Sequence, residues 1–200
     1  FLGSRYAPNA EAARFIWTTL APALPDVRFV IAGGCTDELH PQDIPENVMV
    51  LGTVEAAVRD RALAAADLAI NPMSRGSGTN IKMFDFFAAG LPTVTTGVGA
   101  RGLGSGAGIA YQVADLDDFA AQVRALLDSE PRRREMSVSA RTLAESRFDW
   151  RTIGATAGRV VRAVARGSHA ELVRPGRFRL AVLSTWNTRC GIADYTASLT

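Results

Sequence analysis

A chain of 200 residues with 48% hydrophobic residues has the length and the apolar content to bury a core, which excludes a disordered chain. The formal net charge of +2 gives no case for a nucleic-acid partner, and no apolar run approaches the ~20 residues of a membrane helix. Cys35 and Cys190 make neither a disulfide framework nor a metal motif, and His40 and His169 have no Cys or carboxylate cluster of zinc-site spacing beside them, so the expectation is two reduced thiols in a cytoplasmic protein without a metal.

Apolar, strand-like runs alternate with helical patterns along the chain, the signature of a parallel α/β sheet. Phe1-Leu2 reads as the end of a first strand. Residues 9–21 are predicted helical, with Ala13, Ile16, Trp17 and Leu20 on one face and Pro22 and Pro25 as the stop. Strands follow at 27–32, running into Gly33-Gly34, and at 48–51. An amphipathic helix over 55–66 leads to a strand at 68–71 that ends at Pro72. Gly76-Ser77-Gly78-Thr79 opens a helix over 80–89, stopped by Gly90 and Pro92. Strands at 93–95 and 108–113 precede helices at 116–127, 131–145 and 150–165. Residues 167–178 read as a linker, and a fresh strand begins at 179–183. The fold class is α/β: a doubly wound, Rossmann-like parallel sheet of about six strands with helices on both faces. The chain opens without Met and stops inside a helical pattern, so both ends are expected to be internal to a longer protein.

Chemistry concentrates in residues 72–82. This loop joins a strand to a helix at the carboxyl edge of a parallel sheet, where ligands of open α/β sheets bind. A helix N-terminus offers N–H groups and partial positive charge to a phosphate. Gly76 and Gly78 permit close approach and positive φ, and Ser77 and Thr79 offer hydroxyls. Lys82 is the only lysine, against 21 arginines, and places a point charge where a diphosphate would lie. The Gly-Lys-Ser/Thr ending of a Walker A loop is missing, and the spacing is not that of a dinucleotide fingerprint. The residues alone leave two readings open, a phosphate loop or an ordinary helix-opening turn. Asp85, one turn beyond Lys82, reads either as acceptor for two ribose hydroxyls or as an exposed helix acid. From Arg151 to Arg179 there are seven arginines and one acid, Glu171. That stretch reads as a solvated helix face with a basic linker, or as a contact with an anionic membrane surface.

Residues 76–94, from Gly76-Ser77-Gly78-Thr79-Asn80-Ile81-Lys82 through Asp85 to Ala88-Ala89-Gly90-Leu91-Pro92-Thr93-Val94, resemble the donor-site signature of retaining GT-B glycosyltransferases of the group 1, family 4 type. Phe1-Leu2-Gly3-Ser4 with Pro8-Asn9-Ala10-Glu11-Ala12 resembles the first strand and loop of that family's C-terminal domain. Residues 25–33 and Val50-Leu51-Gly52-Thr53-Val54 resemble its next two strands. The resemblance covers residues 1–160 or so, and it implies one half of a GT-B fold. It implies a nucleoside-diphosphate sugar as donor, held by Gly3, Ser4, Arg5, Val54, Gly76, Ser77, Gly78, Thr79, Lys82 and Asp85. It implies a glycan or lipid-linked acceptor, no cofactor, and catalytic residues in the other half. Two family glutamates fall on Ser77 and Asp85. Asp85 keeps the carboxylate, while Ser77 loses a charge that touches the donor sugar in many relatives. Of an Arg and a Lys near the first strand that reach the diphosphate in many relatives, only Arg5 has a counterpart nearby. The Gly-Ser-Gly-Thr and Lys82 version resembles a subgroup in which loop amides and the lysine take over more of that work.

Residues 180–195 resemble the opening of an N-terminal GT-B domain. The implied organisation is a nucleotide-sugar-binding domain over 1–166, a linker over 167–178, and the start of a second glycosyltransferase unit over 179–200. The implied function is transfer of a sugar to an acceptor hydroxyl in the intact protein, with no transfer by these 200 residues alone. Two alternatives stand beside it: a nucleotide-sugar epimerase of the same fold, and a non-catalytic nucleotide-sugar-binding module, which the missing loop glutamate suggests.

Overall fold

A computed structural model describes residues 1–37 and 44–166. His40, His169, Cys190, the expected linker and the expected second unit lie outside the described residues. The chain divides into two compact units, Phe1–Ile153 and Gly154–Thr200.

The first helix, α1 (Ala7–Phe15), widens into a π-helical turn (Ile16–Leu20) and restarts as α2 (Ala21–Ala23). Pro22 was expected to end the helix, yet the helical backbone runs on through it to Ala23, directly after the π-helical turn. The chain leaves helical geometry at Leu24, the residue before Pro25, because the proline ring crowds an α conformation at the preceding residue.

Strand β1 (Phe29–Ala32) pairs in parallel with β2 (Val48–Gly52), Phe29 opposite Val48. Helix α3 (Ala56–Ala64) crosses to β3 (Ala69–Asn71). Helix α4 (Lys82–Ala88) leads to β4 (Thr93–Thr95), and β5 (Gln112–Val113) completes a second parallel ladder in the order β3-β4-β5. Helices α5 (Phe119–Leu127), α6 (Glu130–Leu143) and α7 (Trp150–Arg166) follow. All pairings between named strands are parallel, as expected.

One expectation changes. In place of a single sheet of about six strands, the strands hydrogen-bond as two ladders. Phe1-Leu2 lies on the free side of β1, where the Phe1 nitrogen donates to the Val30 carbonyl at 2.8 Å and Leu2 makes one bridge to Ala32. An apolar groove of about 470 Å³, with Phe1, Phe29, Ile70 and Phe86 in its wall, lies between the ladders instead. The strand expected over 108–113 also shortens to two residues. Gly108 N donates to the Tyr111 carbonyl at 2.7 Å and Ala110 N to the Gly106 carbonyl at 2.8 Å, a turn that consumes the groups a strand would need.

Successive strand residues point to opposite faces, and both faces are covered. Ile70 and Val94 join a core with Ile16, Leu20, Phe119 and Leu126. Ala69, one residue from Ile70, joins another with Met83, Phe86, Phe87 and Tyr111. This is the two-sided burial of a doubly wound sheet. Helix α4 has seven residues, far too few to be stable alone. It is held by Met83, Phe86 and Phe87, spaced i, i+3, i+4 and buried, each worth roughly 1.5–3 kcal/mol of apolar burial. That anchoring fixes where Lys82 and Asp85 point.

Candidate functional site

A cleft of about 720 Å³ opens where β1, β2 and β3 end. Its wall contains Gly3, Ser4 and Arg5 from the N-terminal loop, Val54 after β2, Gly76, Ser77 and Thr79 after β3, and Lys82 and Asp85 of α4. The structure therefore brings together every expected site residue but one. Gly78 lies on the same loop outside the lining, and a Cβ built on it meets nothing within 4 Å. Its φ of 74° is left-handed, the positive φ read from the sequence.

The glycine loop is tied down on two sides. Towards α1, Arg75 Nε donates to Glu11 Oε2 at 2.8 Å, and this guanidinium holds the Glu11 carboxyl below the usual range. Towards the segment after β4, Arg101 Nη1 donates to the Gly76 carbonyl at 2.8 Å and Asn80 Nδ2 to the Val98 carbonyl at 3.2 Å. Deeper, Thr96 Oγ1 donates to the Met73 carbonyl at 2.6 Å.

The N-terminal loop is shaped by close backbone contact. Gly33 has φ 105°, and a Cβ there would fall inside the van der Waals sphere of the Gly3 carbonyl oxygen. Without that side chain, Cys35 N reaches the Gly3 carbonyl at 3.1 Å and residues 3–5 settle at the end of β1. Arg5 lines the cleft with its guanidinium engaged by Asp37, Nε donating to Oδ2 at 2.9 Å.

Lys82 is half-buried. Its Nζ donates to Asn9 Oδ1 at 2.7 Å, lies 3.6 Å from Met73 Sδ, and sits 4.4 Å from the centre of the Phe1 ring. Burial lowers its pKa from 10.5 to about 8. Asp85 is half-buried too. Desolvation raises its carboxyl above the ordinary value, Arg59 pulls it down, and Asp60 pushes it up. Among the described residues no group of three or more His, Cys, Asp or Glu side chains is placed to hold a metal ion.

Sequence reasoning missed Asn9 and Arg59, both in the cleft wall. Asn9 stood in a quoted motif, but nothing in its spacing announced a partner 73 residues away. Arg59 belongs to α3, which was expected to be amphipathic and which buries no residue. On such a surface helix one arginine has no sequence signal to set it apart.

The family of group 1 glycosyl transferases matches residues 1–129. The chain belongs to that family. Among curated proteins, it is 31% identical over 152 residues to a phosphatidyl-myo-inositol mannosyltransferase of Mycolicibacterium smegmatis, covering 73% of this chain and 39% of that protein. It is 27% identical over 144 residues to a GDP-mannose-dependent monoacylated alpha-(1-6)-phosphatidylinositol monomannoside mannosyltransferase of Corynebacterium glutamicum, covering 66% and 38%. The chain thus spans about two fifths of the length of these relatives. Among solved structures, Anabaena HepE in complex with UDP superposes with a TM-score of 0.64 at 19% identity, over 81% of this chain and 48% of that one. The C-terminal domain of the group 1 family glycosyl transferase LpcC of Francisella tularensis superposes with a TM-score of 0.59 at 10% identity, over 74% of this chain and 85% of that domain. At such identities the likeness shows the fold, a Rossmann-like half of the GT-B architecture.

Proposed function

We propose that this chain is the C-terminal, donor-binding domain of a retaining glycosyltransferase that moves a sugar from a nucleoside diphosphate to an acceptor hydroxyl. The observation that carries this reading is the convergence of Lys82, Asp85 and the loop over 76–79 on one cleft at the carboxyl ends of parallel strands. In this scheme the Lys82 ammonium and the loop amides face the diphosphate. They are in place before reaction, so they stabilise the charge that develops on the leaving group without reorganising, and no metal or other cofactor is invoked. Asp85 accepts from the ribose hydroxyls, residues 3–5 and Val54 frame the nucleotide, and Ser77 stands by the sugar. The acceptor and the groups at the reacting carbon belong to the partner half of the enzyme.

Family membership favours transfer over epimerisation. The relatives' names, with GDP-mannose in one and phosphatidylinositol glycans in both, make GDP-mannose the first donor to try and a lipid-linked glycan the first acceptor. Calorimetric titration of UDP, GDP and ADP onto the 200-residue chain tests the reading. At least one diphosphate binds, and more tightly than its nucleoside; no binding by folded protein removes the donor site. Asp85→Asn is expected to weaken that nucleotide about tenfold, the worth of hydrogen bonds to a charged acceptor, and to erase its preference over the 2′-deoxy form. A retained preference would take Asp85 off the ribose. A second reading, a binding module without catalysis, draws on Ser77 in place of an acid; hydrolysis or transfer by the full-length protein decides against it.

The site of action in this proposal is the cytoplasmic face of a membrane. No helix among the described residues is long and apolar enough to cross one. Helix α7 carries Arg151, Arg159, Arg162 and Arg166 and no acid, and exposes Trp150, Val160 and Val161, the composition of a helix that lies on anionic lipid. Flotation with phosphatidylglycerol vesicles, absent with phosphatidylcholine alone and lost in Trp150→Ser with Val161→Ser, is the expected result. Equal flotation with both lipids contradicts it.

A further inference from the structure

The Lys82 ammonium is held by neutral groups only in the contacts described above: an amide oxygen, a thioether and an aromatic ring. The hydrogen-bonding partner is Asn9 of α1, a residue only 7% exposed. The same carboxamide turns its Nδ2 towards the N-terminal loop and donates to the Ser4 carbonyl and to Ser4 Oγ, both at 3.2 Å. One buried amide therefore ties together α1, the loop over residues 3–5, and the first residue of α4. A buried ammonium without an acceptor is costly. A carboxylate would satisfy it but would cancel its charge, and the charge is what an incoming phosphate needs.

The surroundings agree. The Cys35 thiol, raised to about 11 by burial, is protonated. Asp37 is engaged by Arg5. The charge on Lys82 is thus held in place and left uncompensated.

Resting on the donor-binding reading above, we propose that Asn9 is a positioning residue of the cleft: its carboxamide oxygen keeps the Lys82 ammonium charged and aimed at the donor diphosphate, while its NH₂ group locks the Ser4 turn to the same point.

Lys82 is the only lysine in the chain, so lysine labelled with carbon-13 at Cε gives one resonance whose pH titration reads this group without any ligand. The wild-type midpoint is expected near 8. Asn9→Leu removes the acceptor and moves the midpoint down by about one pH unit; Asn9→Asp, nearly identical in shape, moves it up by about one unit or more. At pH 7, calorimetry with UDP and GDP is expected to show about tenfold weaker diphosphate binding in both variants. In Asn9→Leu the ammonium loses its anchor and, with a midpoint near 7, about half of its charge; in Asn9→Asp the charge is cancelled. Uridine and guanosine are unaffected. An unmoved midpoint in Asn9→Asp, with melting unchanged, overturns the assignment. Wild-type protein that binds neither UDP nor GDP but shows both shifts keeps the Asn9–Lys82 coupling and removes the donor-binding reading instead.

Discussion

Lys82→Ala is expected to weaken nucleoside-diphosphate binding about tenfold to a hundredfold while leaving the nucleoside nearly unchanged, because a charge-assisted contact in a partly buried site is worth roughly 1.5–3 kcal/mol. The phosphate is the part of the ligand that needs a cation, and Lys82 lies half-buried in the cleft wall. Calorimetry with the diphosphate and its nucleoside, side by side, makes the check. An equal loss for both would show that Lys82 works through packing against Phe1 and Met73 and has no electrostatic role. The substitution also leaves Asn9 Oδ1, buried and previously bonded to Nζ, without a partner. A stability loss of about 1–3 kcal/mol is expected alongside, so binding is compared well below the melting temperature.

Gly33→Ala should produce the largest loss of stability of any single methyl addition near the cleft. Two costs combine. A non-glycine residue at φ 105° is strained by about 1–3 kcal/mol, and a Cβ forced against a backbone oxygen adds about 1–3 kcal/mol of overpacking. The backbone carbonyl of Gly3 cannot swing aside as a flexible side chain would. It accepts from Cys35 N, and Gly3 N donates to the Ala32 carbonyl at 2.9 Å. Urea denaturation is expected to show about 2–6 kcal/mol of destabilisation. A loss below 1 kcal/mol would mean that the N-terminal loop does not rest on Gly33, and the floor of the cleft would have to be redrawn.

These two positions also show what was legible in the sequence. Lys82 and Asp85 could be read because the helix carrying them has a regular period. Once Met83, Phe86 and Phe87 face the core, residues 82 and 85 share the side that meets the sheet edge. Gly76 and Ser77 followed from their place after β3. Gly33 was visible only as a turn glycine, since the contact that demands it comes from Gly3, thirty residues earlier in the chain. Asn9 and Arg59 were invisible as site residues for the same reason: their partners are set by tertiary packing, which local pattern does not encode. The break of the expected sheet into two ladders has a similar origin. Hydrophobic runs announce strands, but which strands hydrogen-bond to which is settled by tertiary packing. Pro22 misled because the helix runs on through it directly after a π-helical turn, where the i→i−4 ladder is already interrupted. A π-helical turn that resets the count has no sequence signature here.

A crystal structure of the chain with whichever of UDP, GDP or ADP binds most tightly tests the donor cleft most directly. The expected density places the diphosphate within hydrogen-bond distance of Lys82 Nζ, against the loop over 76–79, with both ribose hydroxyls on Asp85. A nucleotide bound outside this cleft, or one inside it whose diphosphate points away from Lys82, would contradict the account.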